Sequence, residues 1–198
     1  MSTKSGDNKK TFIAVCQLTS TEDKEKNFRT AEGLIRSAAD MGCRMVFLPE
    51  CFDMICETRQ QTMANTEPID GPTITKYKQL AKETNVWLSL GGLHEKKTHS
   101  DDGKAFNAHL IVDNTGSVVS IYRKVHLFNL EIPGVVRLIE SEFSTPGDRV
   151  VPPVETPVGK IGLGICYDLR FAEFAISLVK SGADILTVRF FLISDSFN

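Results

Sequence analysis

What most constrains this chain is a change of hydrophobic period that recurs along it. Phe12 to Leu18 reads FIAVCQL, a short continuous apolar run suited to a buried strand. Ser20, with Asp23 three residues on, resembles a capping box, and Phe28, Ala31, Leu34, Ile35 and Ala38 then keep helical spacing until Gly42. Met45 to Pro49, MVFLP, is continuous and apolar again. Strand, helix and strand in immediate succession make a βαβ unit, whose parallel sheet is covered on both faces. Pro72 suits the first turn of a second helix with Ile74, Tyr77, Leu80 and Ala81 on one face, leading to a strand at Val86 to Leu90.

From Ala105 the period shortens to that of hairpins. AFNAHLIVD and SVVSIYRKV flank Asn114-Thr115-Gly116, and a second hairpin turns at Val158-Gly159-Lys160 before the run IGLGICY. Leu169 to Lys180 reads as helix and Ala183 to Phe191 as a last strand. Leu127 to Pro153, rich in Pro, Gly and Glu, reads as the longest loop. The sum is an α/β chain mixing βαβ units with antiparallel hairpins.

A length of 198 residues suits one domain with a sizeable core. Lys plus Arg number 23 against 25 Asp plus Glu, a net charge of −2, so the basic footprint of nucleic-acid binding is missing. The longest stretches free of Asp, Glu, Lys and Arg, Thr11 to Thr21 and Thr84 to His94, run to about eleven residues against about 18 for a membrane span. Met1 to Lys10 is polar and lacks the apolar core of a signal peptide, which makes a cytoplasmic address the expectation. Five cysteines without a CxxC pair imply reduced thiols, and their spacing with His94, His99 and His109 matches no zinc pattern.

Three reactive residues fall at strand ends, where ligands gather in α/β sheets. Glu50 follows MVFLP, Lys124 nears the end of VVSIYRKV, and Cys166 ends IGLGIC just before a helix. A helix N-terminus there lowers the thiol pKa and makes Cys166 the best nucleophile of the five. Glu50 is a candidate general base and Lys124 an oxyanion stabiliser, a set complete for acyl transfer. Taken singly, each has a plainer reading: an inert buried thiol, a solvated carboxylate, a surface ammonium. His126 either lines the pocket or packs; Asp168 and Arg170 either pair with each other, the favoured reading, or orient a substrate carboxylate.

The wording of these segments, FLPE at 47 to 50, YRKVHLF at 122 to 128 and GLGICYDLRF at 162 to 171, resembles the nitrilase superfamily of carbon-nitrogen hydrolases. GGLHEK at 91 to 96, FNAHLIVD at 106 to 113 and LEIPGVVRLIESEFSTPGD at 130 to 148 resemble its Nit branch, and the likeness runs from Thr11 to about Thr187. The resemblance implies a nitrilase-like αββα sandwich of mixed β-sheets carrying a Glu-Lys-Cys triad at Glu50, Lys124 and Cys166. It implies a thioester mechanism on a small amide of ω-amide or deaminated-glutathione type, with the Tyr167 N–H in the oxyanion site and no metal or organic cofactor. Glu131 matches the family's second acidic residue, and Tyr167, His126 and Arg170 are expected to help position substrate. A small-molecule partner is implied, with no nucleic acid and no membrane, and a homo-oligomer is typical of the family.

Two departures stand out. Ala172 replaces the usual Pro at the start of the helix after the nucleophile, and Ala is the better helix former. After Thr187 the family continues into further strands and a helix, whereas here VRFFLISDSFN closes the sequence. The expected organisation is a flexible segment 1–10, a partial hydrolase domain 11–191 and a divergent tail 192–198, a C-terminally shortened sandwich with part of its oligomer surface missing. A catalytically silent fragment, and another branch of the superfamily such as a carbamoylase or nitrilase, are the alternatives.

Overall fold

A computed structural model describes residues 11–98, 100 and 102–189. The expected segment 1–10, the tail 192–198 and the end of the last expected strand at Phe190 and Phe191 lie outside the described residues. In one sheet β1 (Phe12–Val15), β2 (Cys43–Leu48), β3 (Trp87–Lys96), β4 (Ala105–Val112) and β5 (Val118–Arg123) lie in that order. The first three run parallel and the last two continue antiparallel, so the βαβ start and the hairpin at 113–117 share one mixed sheet. A two-stranded ribbon follows, β6 (Asn129–Ile132) and β7 (Val136–Ile139). The second sheet has β9 (Gly159–Ile165) at its centre, antiparallel to β8 (Val154–Thr156) and parallel to β10 (Ile185–Arg189). The helices are α1 (Lys24–Asp40), α2 (Arg59–Ala64), α3 (Pro72–Thr84) and α4 (Ala172–Lys180).

Strand alternation sorts the core into layers. On β2, Val46 and Leu48 pack with Ala31 and Ile35 of α1 and with Ile74, Tyr77 and Leu80 of α3. Met45 and Phe47 point the other way and meet Ile161, Leu163 and Ile165 of β9. β4 divides likewise: Ala108, Leu110 and Val112 face the helices, while Ile111 faces the second sheet. On the far side of β9, Gly162 and Gly164 leave room for Leu178 and Phe174 of α4. Helix, sheet, sheet and helix thus stack in the expected αββα order. His109, fully buried, ties the two sheets together. Its Nδ1–H donates to the Gly164 carbonyl at 3.2 Å, and its Nε2 lies 2.7 Å from the Ser89 hydroxyl.

Several expectations change. Among the described residues β1 is an edge strand paired with β2 alone, and Phe12, Ile13 and Val15 are exposed, not buried. The cap of α1 is Asp23, whose carboxylate accepts from the Lys26 N–H at 2.9 Å, so Ser20 plays no capping part. The stretch read as a long loop contains the β6–β7 ribbon, and α2 lies in a segment with no helical reading. The helix read from Leu169 begins only at Ala172, because Cys166–Arg170 winds into a tighter 3-10 turn.

Leu88 is fully buried in the helix-facing layer, so Leu88→Ala is expected to cost about 2–5 kcal/mol. Val135→Ala, at a residue 78% exposed on the ribbon tip, is expected to stay within about 0.5 kcal/mol. Urea denaturation of the two variants checks the difference; equal losses would contradict the layer assignment.

Candidate active site

Glu50 sits immediately after β2, where the chain turns across the mouth of the sheet with Cys51 in the left-handed region at φ 57°. The pairing of β3 with β4 shifts register between Leu90 and Leu93, and this bulge opens the space that Glu50 fills. Gly92 lies in the bulge at φ 77°, and a Cβ there would stand 2.5 Å from Glu50 Cγ. Its carbonyl accepts from the Cys51 N–H at 3.0 Å. Glycine at 92 is therefore demanded twice, by the backbone angle and by the carboxylate it packs against.

Lys124 leaves the end of β5 with its backbone N–H donating to the Asn107 carbonyl at 2.9 Å, and its side chain is only 2% exposed. The ammonium bonds Glu140 Oε2 at 2.8 Å and lies 3.6 Å from Glu50 Oε1. Glu140 opens the short 3-10 turn after the ribbon, and its Oε2 also accepts from the Phe128 N–H at 2.7 Å. The Asn107 amide bridges the carboxylates, with Nδ2 at 2.8 Å from Glu50 Oε1 and 3.4 Å from Glu140 Oε1. One buried ammonium thus serves two carboxylates, held by groups from β4, β5 and the ribbon's far end.

Cys166 directly follows β9, in the left-handed region at φ 47°. A side-chain-bearing residue occupies that conformation only when its surroundings impose it. The imposing group is Asp168, fully buried two residues on. Its carboxylate accepts from Tyr122 Oη at 2.7 Å, from the Ile165 N–H at 2.9 Å and from the His126 N–H at 3.2 Å; His126 Nδ1 lies 2.8 Å from it. The His126 ring stacks on Phe171 at 3.7 Å between centroids, and Tyr167 stands edge-on to Phe128 and Phe171. The turn that displays the thiol is therefore fastened to the first sheet through Tyr122 and walled by aromatic rings.

The electrostatics differ from the expectation of a lowered thiol pKa. Burial, then the neighbouring Glu50 carboxylate, push the Cys166 thiol up to about 12, with Lys124 opposing. Because α4 starts only at Ala172, Cys166 does not sit at its N-terminus, and desolvation wins. Burial also raises the Glu50 carboxyl above its ordinary value, against the pull of Lys124 and Asn107. For Lys124 burial works against the ammonium, but Glu50 and Glu140 together outweigh it and raise the pKa. The result is a protonated thiol beside a carboxyl made more basic than usual, near a permanent cation. A set of this kind has the chemistry to activate a thiol by proton transfer to the carboxylate, without a resident thiolate.

Of the residues singled out in the sequence, the structure brings Glu50, Lys124 and Cys166 together. It does not bring Glu131 to them: Glu131 is on β6 with its side chain 60% exposed, 3.3 Å from Arg137, and the acid against Lys124 is Glu140. The antiparallel ribbon carries Glu131 outward and returns the chain to the site at Glu140. Asp168 does not pair with Arg170; its oxygens are taken by Tyr122, Ile165 and His126, and Arg170 is exposed at the end of the turn. Glu140 and Asn107 were missed, although both fall inside segments that carry the family resemblance. What hid them is that burial of a polar side chain leaves no local mark in the sequence.

A family model described as carbon-nitrogen hydrolase matches residues 12–197. The chain is 50% identical over 176 residues to the nitrilase and fragile histidine triad fusion protein NitFhit of Caenorhabditis elegans, covering 89% of this chain and 40% of that protein. To the deaminated glutathione amidase of Bos taurus it is 49% identical over 177 residues, covering 89% and 54%. The chain thus spans about half the length of the curated relatives it matches. The crystal structure of the C. elegans NitFhit protein superposes with a TM-score of 0.82 at 49% identity, covering 89% of this chain and 42% of that one. Saccharomyces cerevisiae Nit3 superposes with a TM-score of 0.77 at 28% identity, covering 92% and 65%.

Removing the cation tests the charge balance of the site. In a Lys124→Met protein two buried carboxylates face each other unpaired, and stability near neutral pH is expected to fall by about 3–5 kcal/mol. Glu50, already raised, rises further without Lys124. A carboxyl raised in the folded state destabilises as pH climbs through its pKa, so the loss shrinks when the pH is lowered to about 5. Urea denaturation at the two pH values reads this, and a loss independent of pH would contradict it.

Proposed function

The chain belongs to the carbon-nitrogen hydrolase family, and from that premise we propose that it hydrolyses a small non-peptide amide through a Cys166 thioester. The observation that carries the reading is the convergence of Glu50, Lys124 and Cys166, with Glu50 and Cys166 each acting on the other's ionisation. Glu50 takes the thiol proton as the sulfur forms its bond to the amide carbon. The oxyanion that develops lies between the Lys124 ammonium and the Tyr167 N–H, where fixed charge in a dry site is worth most. The C–N bond breaks as Glu50 returns the proton to the leaving nitrogen, and ammonia or an amine departs. Water, deprotonated by Glu50, then attacks the thioester; the C–S bond breaks, the acid leaves and the thiol is restored.

Glu140 keeps Lys124 in place and, with Glu50, keeps it charged. The substrate proposed is a carboxylate-bearing ω-amide of the deaminated-glutathione type. What supports it is 46–49% identity to proteins named deaminated glutathione amidase from Homo sapiens and Bos taurus. Triad residues alone do not choose the amide, so a carbamoylated amine and a simple nitrile belong in the same panel.

Ammonia release from this panel by the 198-residue chain is expected to disappear in a Cys166→Ala protein. Hydroxylamine is expected to divert the acyl group to a hydroxamate in the parent only. The rate should rise with pH through the raised Glu50 carboxyl, placing the acid limb above 4.5, the ordinary value. Ammonia release that survives Cys166→Ala would end the proposal, and a folded parent that turns over none of the panel would favour a silent fragment.

A further inference from the structure

The immediate environment of Glu50 contains an asymmetry that the triad does not use. The Lys124 ammonium makes its direct hydrogen bond to Glu140, at 2.8 Å, and stands 3.6 Å from Glu50. Glu50 Oε1 takes a hydrogen bond from Asn107 Nδ2, at 2.8 Å, and the Cys166 thiol is close enough to interact with the same carboxylate. The other carboxylate oxygen, Oε2, is buried and takes no hydrogen bond. The second proton of the same amide points to Glu140 Oε1 at 3.4 Å. The Asn107 main-chain carbonyl, meanwhile, accepts the backbone N–H of Lys124 at 2.9 Å, so one residue bonds both carboxylates and the main chain that carries the ammonium.

We propose that Asn107 is a positioning residue that fixes the plane of the Glu50 carboxylate, occupying Oε1 so that Oε2 is the oxygen left to exchange a proton with Cys166. A carboxylate held only by a cation 3.6 Å away can rotate about its last bond, since a point charge has no preferred plane. An amide N–H is directional and does select one. The same donor favours the ionised form of Glu50, opposing the burial and the Glu140 charge that disfavour it. By spanning both acids, the amide also lets Lys124 settle against Glu140 without freeing Glu50. Asn107 stands on β4 two residues before His109, on the same face, which puts it on the side turned toward the second sheet and Cys166.

This role rests on the base function assigned to Glu50, and its test does not need amide turnover. Iodoacetamide alkylation of Cys166, followed by peptide mass spectrometry across about pH 4 to 9, reads the acid limb set by Glu50 directly. Asn107→Leu, which removes both donors and excludes a replacing water, should move that limb upward by about one pH unit, roughly tenfold slower alkylation below it. The plateau rate should stay within about twofold, and Asn107→Ala, which admits a water, should shift the limb in the same direction by less. Urea midpoints establish that each variant folds; if the Leu protein does not, the Ala protein decides. A limb within about 0.2 units of the parent in a folded variant, or a lowered plateau with an unmoved limb, overturns the proposal. A limb that moves in a chain that hydrolyses no amide upholds the positioning role and sinks the amidase reading instead.

Discussion

The site depends on a single buried ammonium. Lys124 has two carboxylates within 4 Å and almost no exposure, so the cluster of Glu50, Glu140 and Lys124 carries an excess negative charge in a region of low dielectric. A cluster of that kind is expensive to assemble, and three of its four carboxylate oxygens have a hydrogen-bond donor to offset that cost. Phe128 supplies a backbone N–H to Glu140, and Asn107 supplies its amide to both acids. Burial first, and then the Glu50 carboxylate, hold the Cys166 thiol in its protonated form.

The surrounding fold serves this charge cluster. The register shift in β3 makes the space for Glu50, and the tight turn after β9 presents Cys166 to it. Asp168 locks that turn by accepting from two backbone N–H groups and from Tyr122, a residue of the opposite sheet. His109 spans the same inter-sheet gap lower down through Ser89 and Gly164. Polar bridges within an otherwise apolar layer are directional where apolar contacts are not, and they set how one sheet slides on the other. A small shift would separate sulfur from carboxylate while leaving the apolar core packed.

Much of this arrangement is legible in the sequence. The helical face Ile74, Tyr77, Leu80, Ala81 is the buried face of α3, and the two hairpins turn close to where Gly and Asn signals put them. Glu50, Lys124 and Cys166 were visible because they close apolar runs and because the words around them resemble a family. What was not legible depended on the return path of the chain. Glu131 and Glu140 are both acids in a Pro- and Gly-rich stretch, and only the ribbon decides which reaches Lys124. The thiol pKa is hidden for a similar reason: the apolar spacing implies a helix directly after Cys166, whereas a 3-10 turn intervenes and burial governs instead. β1 was read as buried from its apolar letters, but strand order, which no local pattern records, makes it an edge.

The distribution of the triad over two sheets has a kinetic meaning. Glu50 and Lys124 close strands of the five-stranded sheet, whereas Cys166 closes a strand of the other, separated from Glu50 by more than half the chain. Loops of that length close late, because their entropy is lost before any contact repays it. The helices and the first hairpin rest on near neighbours in sequence, so they are expected to form before the contacts that join β9 to the first sheet. Cys166 comes beside Glu50 and Lys124 only once β9 has docked on the first sheet. A chain of this design is expected to have its five-stranded sheet built while Cys166 still lies apart from Glu50.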